Sequence, residues 1–233
     1  MPSSPTSRPS GPPSTDLDLR VVVMAKHPVP GRVKTRLART FGDAAACRLY
    51  RAFVVDLAAR LATTRWPVTW AVWPPDAPFE HVVPGARRLP QEGATLGARM
   101  ANASASLFAE GTSPVIVLGV DAPHAPLDAI ADAGRAVAGP ADVALGPAAD
   151  GGYWLIALRA PHPELFDAIA WSTPTVLEQT LARARATHLR VHQVAATFDV
   201  DEPADVTELR ALLAARVVTL PTTAAVLATL PES

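Results

Sequence analysis

The run PVIVLGV at 114–120 carries apolar side chains at consecutive positions rather than at alternate ones. An extended segment of that kind is apolar on both faces, so it needs a sheet covered on both sides. The segment 19–24 has the same character. Helix-like stretches separate such runs. Leu49, Phe53, Leu57 and Leu61 recur every fourth residue, the stripe of a helix lying on a sheet, with Asp56 and Arg60 beside it and spaced to pair with each other. Further strands are expected over 68–73, 143–145, 153–158 and 191–195. Helices are expected over 94–108, 127–137 and 174–188, the last capped by Ser172 or Thr173, and a final helix opens at Pro203. The alternation predicts a three-layer α/β/α domain around a mostly parallel mixed sheet, with an antiparallel strand supplied by a hairpin around Asp150.

Composition bounds this further. The chain has 233 residues, enough for one large domain with a substantial core. Its 21 basic and 22 acidic residues leave a net charge of -1, so no global basic field exists to attract nucleic acid or a membrane surface. Cys47 is the single cysteine, which excludes an internal disulfide and a thiolate metal site and fits a reducing, cytoplasmic setting. No apolar run reaches the roughly 18 to 20 residues that span a bilayer. Residues 1–16 are rich in Pro, Ser and Thr without an apolar stretch, and read as a disordered tail rather than a signal peptide. The domain then covers 17–216. Residues 217–233, broken by Pro221 and Pro231, read as a loosely docked tail.

In a sheet of this type ligands bind beyond the carboxyl ends of the strands. The first strand is followed by Lys26, Arg32, Lys34, Arg36 and Arg39 with no acidic residue among them. Pro28, Pro30 and Gly31 stiffen and turn this loop, and Lys34 and Arg36 arrive where a helix begins, an arrangement suited to phosphate. The alternative is a solvated basic loop. A Walker A loop is excluded by spacing, since Val33 precedes Lys34 and no glycine stands five residues before Gly31. Asp121 follows the strand PVIVLGV, where an unpaired carboxylate is costly and a divalent cation is a natural partner; the alternative is a cap on the next helix. His124 reads as a loop residue. In FDVDEPADV, Asp199 and Asp201 share one side of an extended segment. Asp201 is the preferred second metal ligand, against the alternative that it or Glu202 caps the Pro203 helix, and Asp205 compensates the dipole of that helix. In ADGGYW, Asp150, Gly151, Gly152 and Tyr153 suit both a hairpin turn and the close approach of a ligand.

The segments MAKHPVPGRVKTRL, PQEGATLGARM, GVDAPHAP, LGPAADGGYWLIAL, WSTPTVLEQTLARA and FDVDEPADV together resemble, in order, the motifs of a glycosyltransferase-A-like family of transferases. That family is related to the 2-phospho-L-lactate guanylyltransferases and the molybdenum-cofactor nucleotidyltransferases. The resemblance spans about residues 19 to 215 and implies a nucleotide-diphospho-sugar transferase fold. It implies donor contacts from Lys26, Gly31, Arg32, Lys34, Arg36, Gln91 and Gly97, the last two from a segment resembling the base-contacting one of related nucleotidyltransferases. Asp121 and Asp201 match metal-binding carboxylates, for Mg²⁺ or Mn²⁺, and Asp150 to Tyr153 falls where relatives hold the acceptor. The loop after the first strand departs from the Gly-x-Gly-x-Arg-Met form of sugar-nucleotide pyrophosphorylases, and Ala-Pro-His after Asp121 departs from the usual small-Pro-apolar sequence. The expected activity is sugar transfer from a nucleotide-diphospho-sugar to a small acceptor, with Lys34, Arg36 and Asp121 catalytic through charge neutralisation. The alternatives are nucleotidyl transfer from a nucleoside triphosphate and nucleotide binding without turnover. Neither nucleic acid nor membrane is an expected partner.

Overall fold

Strand β1 (Arg20–Lys26) is the line from which the sheet grows in both directions. The computed structural model describes residues 19–111 and 114–231, so the tail expected over 1–16 lies outside the described residues. The remaining strands are β2 (Val68–Trp73), β3 (Arg87–Pro90), β4 (Val115–Gly119), β5 (Val143–Pro147), β6 (Tyr153–Leu158) and β7 (Val191–Gln193), in spatial order β3-β2-β1-β4-β6-β5-β7. Only β6 runs against its neighbours, pairing antiparallel with β4 and β5. Every other pairing is parallel. In register, Val23 lies beside Trp70 on one side and Leu118 on the other.

The consecutive apolar residues feed two separate cores. Val21 and Val23 enter the same core as Ile116 and Leu118, and Val22 enters the opposite one with Val115 and Val117. The first core is roofed by α1 (Thr35–Phe41), α2 (Asp43–Ala62), α4 (Leu127–Ala138), α6 (Pro203–Ala214) and α7 (Pro221–Leu227). The second lies under α3 (Leu96–Phe108), through Met100, Ala103 and Leu107, and α5 (Val176–Ala186), through Ala184. The expected stripe of Leu49, Phe53, Leu57 and Leu61 is buried along α2. The three-layer expectation is thus met.

Three local expectations are corrected. The strand β3 was not anticipated, because RRLP has no apolar alternation; it pairs on one side only, where arginines stay wet and a terminal proline is tolerated. Helix α5 starts at Val176 after Thr175, not after Ser172 or Thr173, because the backbone of Pro174 packs on Gly151 and Leu177 N–H donates to Gly151 O at 2.9 Å. The third correction concerns 217–231.

That segment was expected to dock loosely, and it forms a helix with buried leucines instead. Pro221 stands at the first helical position of α7, where its missing N–H is harmless, so the proline read as a break is a start. Leu220, Leu227 and Leu230 are buried in the core under α2. Asp56, 1% exposed, accepts from Thr222 N–H at 3.1 Å and Thr223 N–H at 2.7 Å, which gives a buried carboxylate the donors it needs. Arg60, its expected partner, instead donates to the carbonyls of Pro123 and Ala125, the second at 2.7 Å. Among the described residues no helix is long and apolar enough to cross a membrane.

Asp56→Ala strands one buried and one partly buried N–H group and should lower unfolding free energy by about 2–3 kcal/mol. Urea denaturation reads this as a lower midpoint at an unchanged slope, and an unchanged midpoint would mean that α7 does not depend on Asp56.

Candidate active site

The chain leaves β1 toward β2 and β3, then returns to lay β4 on the other flank of β1. Their carboxyl ends therefore border a topological switch point, the position where open α/β sheets bind ligands. Beyond β1 the chain closes a turn in which Arg32 N–H donates to Val29 O at 3.0 Å and Gly31 takes φ 74°. Lys34 follows at the N-cap of α1 with φ 48° and ψ 46°, a left-handed conformation uncommon for a side chain of this size.

This conformation accompanies an inward side chain. Lys34 is 2% exposed at its side chain, with Nζ 5.6 Å from the centre of the Phe53 ring. Nζ donates to Asp201 Oδ1 at 2.8 Å and pairs with Asp121 Oδ1. Burial pulls the ammonium pKa down, but Asp121 and Asp201 together outweigh it and hold the pKa above the ordinary lysine value. Lys34, expected in an exposed loop, is buried instead, and its charge is engaged by the two carboxylates.

Asp121 lies two residues past β4, and its carbonyl accepts from Val200 N–H at 2.8 Å, locking the two acidic segments together. Asp201 does not cap α6. Glu202 and Asp205 form the capping box, and Asp205 Oδ2 accepts from the N–H of Asp201 and of Glu202 at 2.9 and 2.7 Å. Asp201 is left free for Lys34. Asp199, the other candidate in that segment, is pushed up to about 7, first by burial and then by the charges of Asp121, Asp201 and Asp150, with Lys34 opposing. One lysine thus faces more negative charge than it neutralises.

The donor set suits a hard cation. Asp121 and Asp201 are 43% and 40% exposed, and the second oxygen of each accepts from no protein group among the described residues. Two monodentate carboxylates fit Mg²⁺ or Mn²⁺ bound jointly with phosphate oxygens. Among the described residues no group of three or more His, Cys, Asp or Glu side chains is arranged to hold a metal, so phosphate and water would complete the coordination.

The other anticipated residues divide. Lys26, Gly31, Arg32 and Arg36 lie exposed between the end of β1 and the start of α1, and Arg36 makes a loose pair with Glu202 at 3.4 Å. Gln91 is buried and its amide donates to Ala25 O at 3.0 Å and Ala71 O at 2.8 Å, so it clamps the ends of β1 and β2. At Gly97 a Cβ would come within 2.6 Å of Phe166 O and the Trp171 ring, which makes this glycine a helix-packing requirement. Gly151 takes φ 88° and a Cβ there would meet Pro174 O at 2.1 Å, so the turn itself requires glycine at this position. Gly152 N–H donates to Asp150 Oδ1 at 2.9 Å in the hairpin turn, and Asp150 stays exposed. The Tyr153 hydroxyl is buried beside Thr180 under α5, and burial pushes its pKa up.

His124 sits in the turn that follows Asp121, as expected for a loop residue, and is buried there. It is 7% exposed, with Nε2 3.0 Å from Thr197 Oγ1 and its ring 4.2 Å from that of Phe198. Burial, with the Arg60 charge adding, pushes its pKa down to about 4. No local signal distinguishes it from a loop histidine, because both contacts lie more than 70 residues away in sequence.

The fold and the acidic cluster at the switch point define a class, the transferases of the nucleotide-diphospho-sugar superfamily. A structure described as a "putative nucleotide-diphospho-sugar transferase" from Desulfovibrio desulfuricans G20 is 32% identical, covers 91% of this chain and 97% of its own, and superposes with a TM-score of 0.83. The chain belongs to the family described as "uncharacterized protein conserved in bacteria (DUF2064)", whose model matches residues 54–173. Two more distant structures share the fold alone. CMP:2-keto-3-deoxy-manno-octonic acid synthetase complexed with CTP is 16% identical, with 85% of this chain and 99% of that one covered and a TM-score of 0.53. For 4-diphosphocytidyl-2C-methyl-D-erythritol synthase the values are 15%, 85%, 100% and 0.52. No curated protein matches the chain.

Lys34→Met leaves the carboxylates facing one another and should cost about 2 kcal/mol, below the roughly 3–5 of a fully buried pair because both acids are partly wet. Adding Asp121→Asn should recover part of that loss in a double-mutant cycle, and purely additive losses would deny the coupling.

His124 gives a second expectation. Its folded pKa is depressed, so the stability gained by keeping it neutral is complete above about 6.5 and is lost as pH falls toward 4. Between those limits wild type should lose on the order of 3 kcal/mol more than His124→Gln. Parallel stability-pH curves would show that the ring is not held neutral.

Proposed function

We propose that this protein transfers a sugar from a nucleotide-diphospho-sugar to a small acceptor, with Mg²⁺ or Mn²⁺ held by Asp121 and Asp201. The observation that carries this reading is the Lys34–Asp121–Asp201 constellation at the switch point, in a chain 32% identical over nearly its whole length to a protein described as a nucleotide-diphospho-sugar transferase of "putative" standing. Lys34 acts as a positioning residue, fixing one oxygen of each acid and leaving the other for the metal. When bound, the cation supplies Lewis-acid stabilisation of the charge gathering on the leaving nucleoside diphosphate. Lys26, Arg32 and Arg36, exposed between β1 and the first turn of α1, meet the donor phosphates. Asp150, with Oδ1 held by Gly152 N–H, keeps Oδ2 for an acceptor hydroxyl. The chemistry needs positioning and charge neutralisation, with no covalent nucleophile.

The three exposed loop cations favour a second reading, nucleotidyl transfer from a nucleoside triphosphate, since pyrophosphate gathers more charge than a metal alone offsets. The leaving group separates the two. Nucleoside diphosphate released from a nucleotide sugar supports sugar transfer, and pyrophosphate released from a triphosphate supports the second reading.

A thermal-shift panel of nucleotide sugars and triphosphates with Mg²⁺ or Mn²⁺ should show a donor that, at 100 times its Kd, adds about 2.7 kcal/mol. Asp121→Asn and Asp201→Asn should each remove the metal-dependent part of that shift and lower turnover by about 10² or more. A metal-dependent shift that persists in both variants would overturn the two-carboxylate site.

A further inference from the structure

Asp121 and Asp201 have part of their charge answered before any ligand arrives. Lys34 Nζ donates to Asp201 Oδ1 at 2.8 Å and pairs with Asp121 Oδ1. One ammonium stands against two carboxylates, and the trio keeps a single net negative charge. A divalent cation on the neighbouring oxygens of the same two acids is attracted by both carboxylates and repelled by the ammonium beside them. Without Lys34 it would meet two full negative charges.

The ammonium does not step aside cheaply. The Lys34 side chain is 2% exposed, and Nζ lies 5.6 Å from the centre of the ring of Phe53, a fully buried residue of α2. Parting from the carboxylates would leave a buried charge without its partners, which is strongly unfavourable. The two acids are 43% and 40% exposed, so a cation reaches them from solvent while Lys34 stays in place.

The chain also supplies few ligands. Among the described residues no three His, Cys, Asp or Glu side chains are grouped to hold a metal, so Asp121 and Asp201 leave most positions of an octahedral ion to water or phosphate oxygens. A cation arriving on a diphosphate brings such oxygens with it. Its own charge is then largely offset, and the ammonium no longer opposes it.

We propose that Lys34 is a resident counter-ion that keeps the Asp121–Asp201 pair in a low-affinity state toward a free divalent cation, so that the metal enters as its complex with the donor's diphosphate. This role rests on the two-carboxylate metal site proposed above and adds the order of events. Metal and donor load together, and the cation alone does not fill the pair beforehand.

Mn²⁺ and inorganic pyrophosphate test this, the second carrying the diphosphate that nucleotide sugars and triphosphates share. Water-proton relaxation reads the binding, because Mn²⁺ immobilised on a protein enhances it far more than Mn²⁺ free or on pyrophosphate. In wild type, pyrophosphate should tighten Mn²⁺ binding about tenfold or more. Lys34→Met should bind Mn²⁺ alone about tenfold or more tighter than wild type does. Its melting temperature should also rise further than that of wild type at the same Mn²⁺ concentration. Adding Asp121→Asn should cancel that gain. The wild-type comparison decides even if Lys34→Met fails to fold. Wild type that binds Mn²⁺ alone as tightly as with pyrophosphate, or a folded Lys34→Met that binds it no tighter than wild type, would overturn the counter-ion role. Failure of the site itself looks different. If no protein holds Mn²⁺ with or without pyrophosphate, or if binding persists in both Asp121→Asn and Asp201→Asn, the two-carboxylate site falls and the role of Lys34 with it.

Discussion

One buried ammonium ties a loop to two acidic segments whose carboxylates would otherwise repel each other. Lys34 comes from the loop after β1, Asp121 from the end of β4, and Asp201 from the entry to α6. Withdrawing Lys34 from water costs free energy, and its left-handed backbone adds on the order of 1–2 kcal/mol. Two ion pairs offset these costs, with Asp121 and Asp201 each keeping about 40% exposure and so part of their hydration. An arrangement of this kind contributes less to net stability than to the fixing of one geometry among several. Here that geometry presents free carboxylate oxygens at the switch point of the sheet.

The carboxylates of the chain divide by what they accept from. Asp56 receives two backbone N–H groups of α7, and Asp205 receives two at the start of α6. Asp142 accepts from the backbone and guanidinium of Arg190, which draws the start of β7 against β5 and holds the acid well below the usual carboxylate range. These acids are satisfied and structural. Asp121, Asp199 and Asp201 instead converge on a single lysine, and the raised pKa of Asp199 registers the negative potential left over. A divalent cation between the carboxylates would relieve that potential.

Much of the scaffold was legible because it rests on local periodicity. The consecutive apolar residues of β1 and β4 required cover on both faces, and the four-residue stripe of α2 supplied it. Asp121 stood out in the sequence as a carboxylate just past a buried strand, and folding gives it Lys34 as a partner. The packing role of two glycines was not legible, for a physical reason. A sequence shows that Gly97 and Gly151 lack a side chain, but only packing shows that Trp171, Phe166 and Pro174 take up the space.

The sequence by itself determined the layers, the nearly parallel sheet, the antiparallel hairpin and the identity of the acidic segments, since these follow from which residues neighbour one another along the chain. Only the tertiary structure decided which partner each charged group takes. Lys34 meets Asp201 across 167 positions, and Asp56 meets the N-terminus of α7 across 166 and 167. Periodicity extends over one or two turns of helix or a few residues of strand, and carries no information at such separations. Folding brings the groups within 3.1 Å, and at that range solvation and charge select the partner.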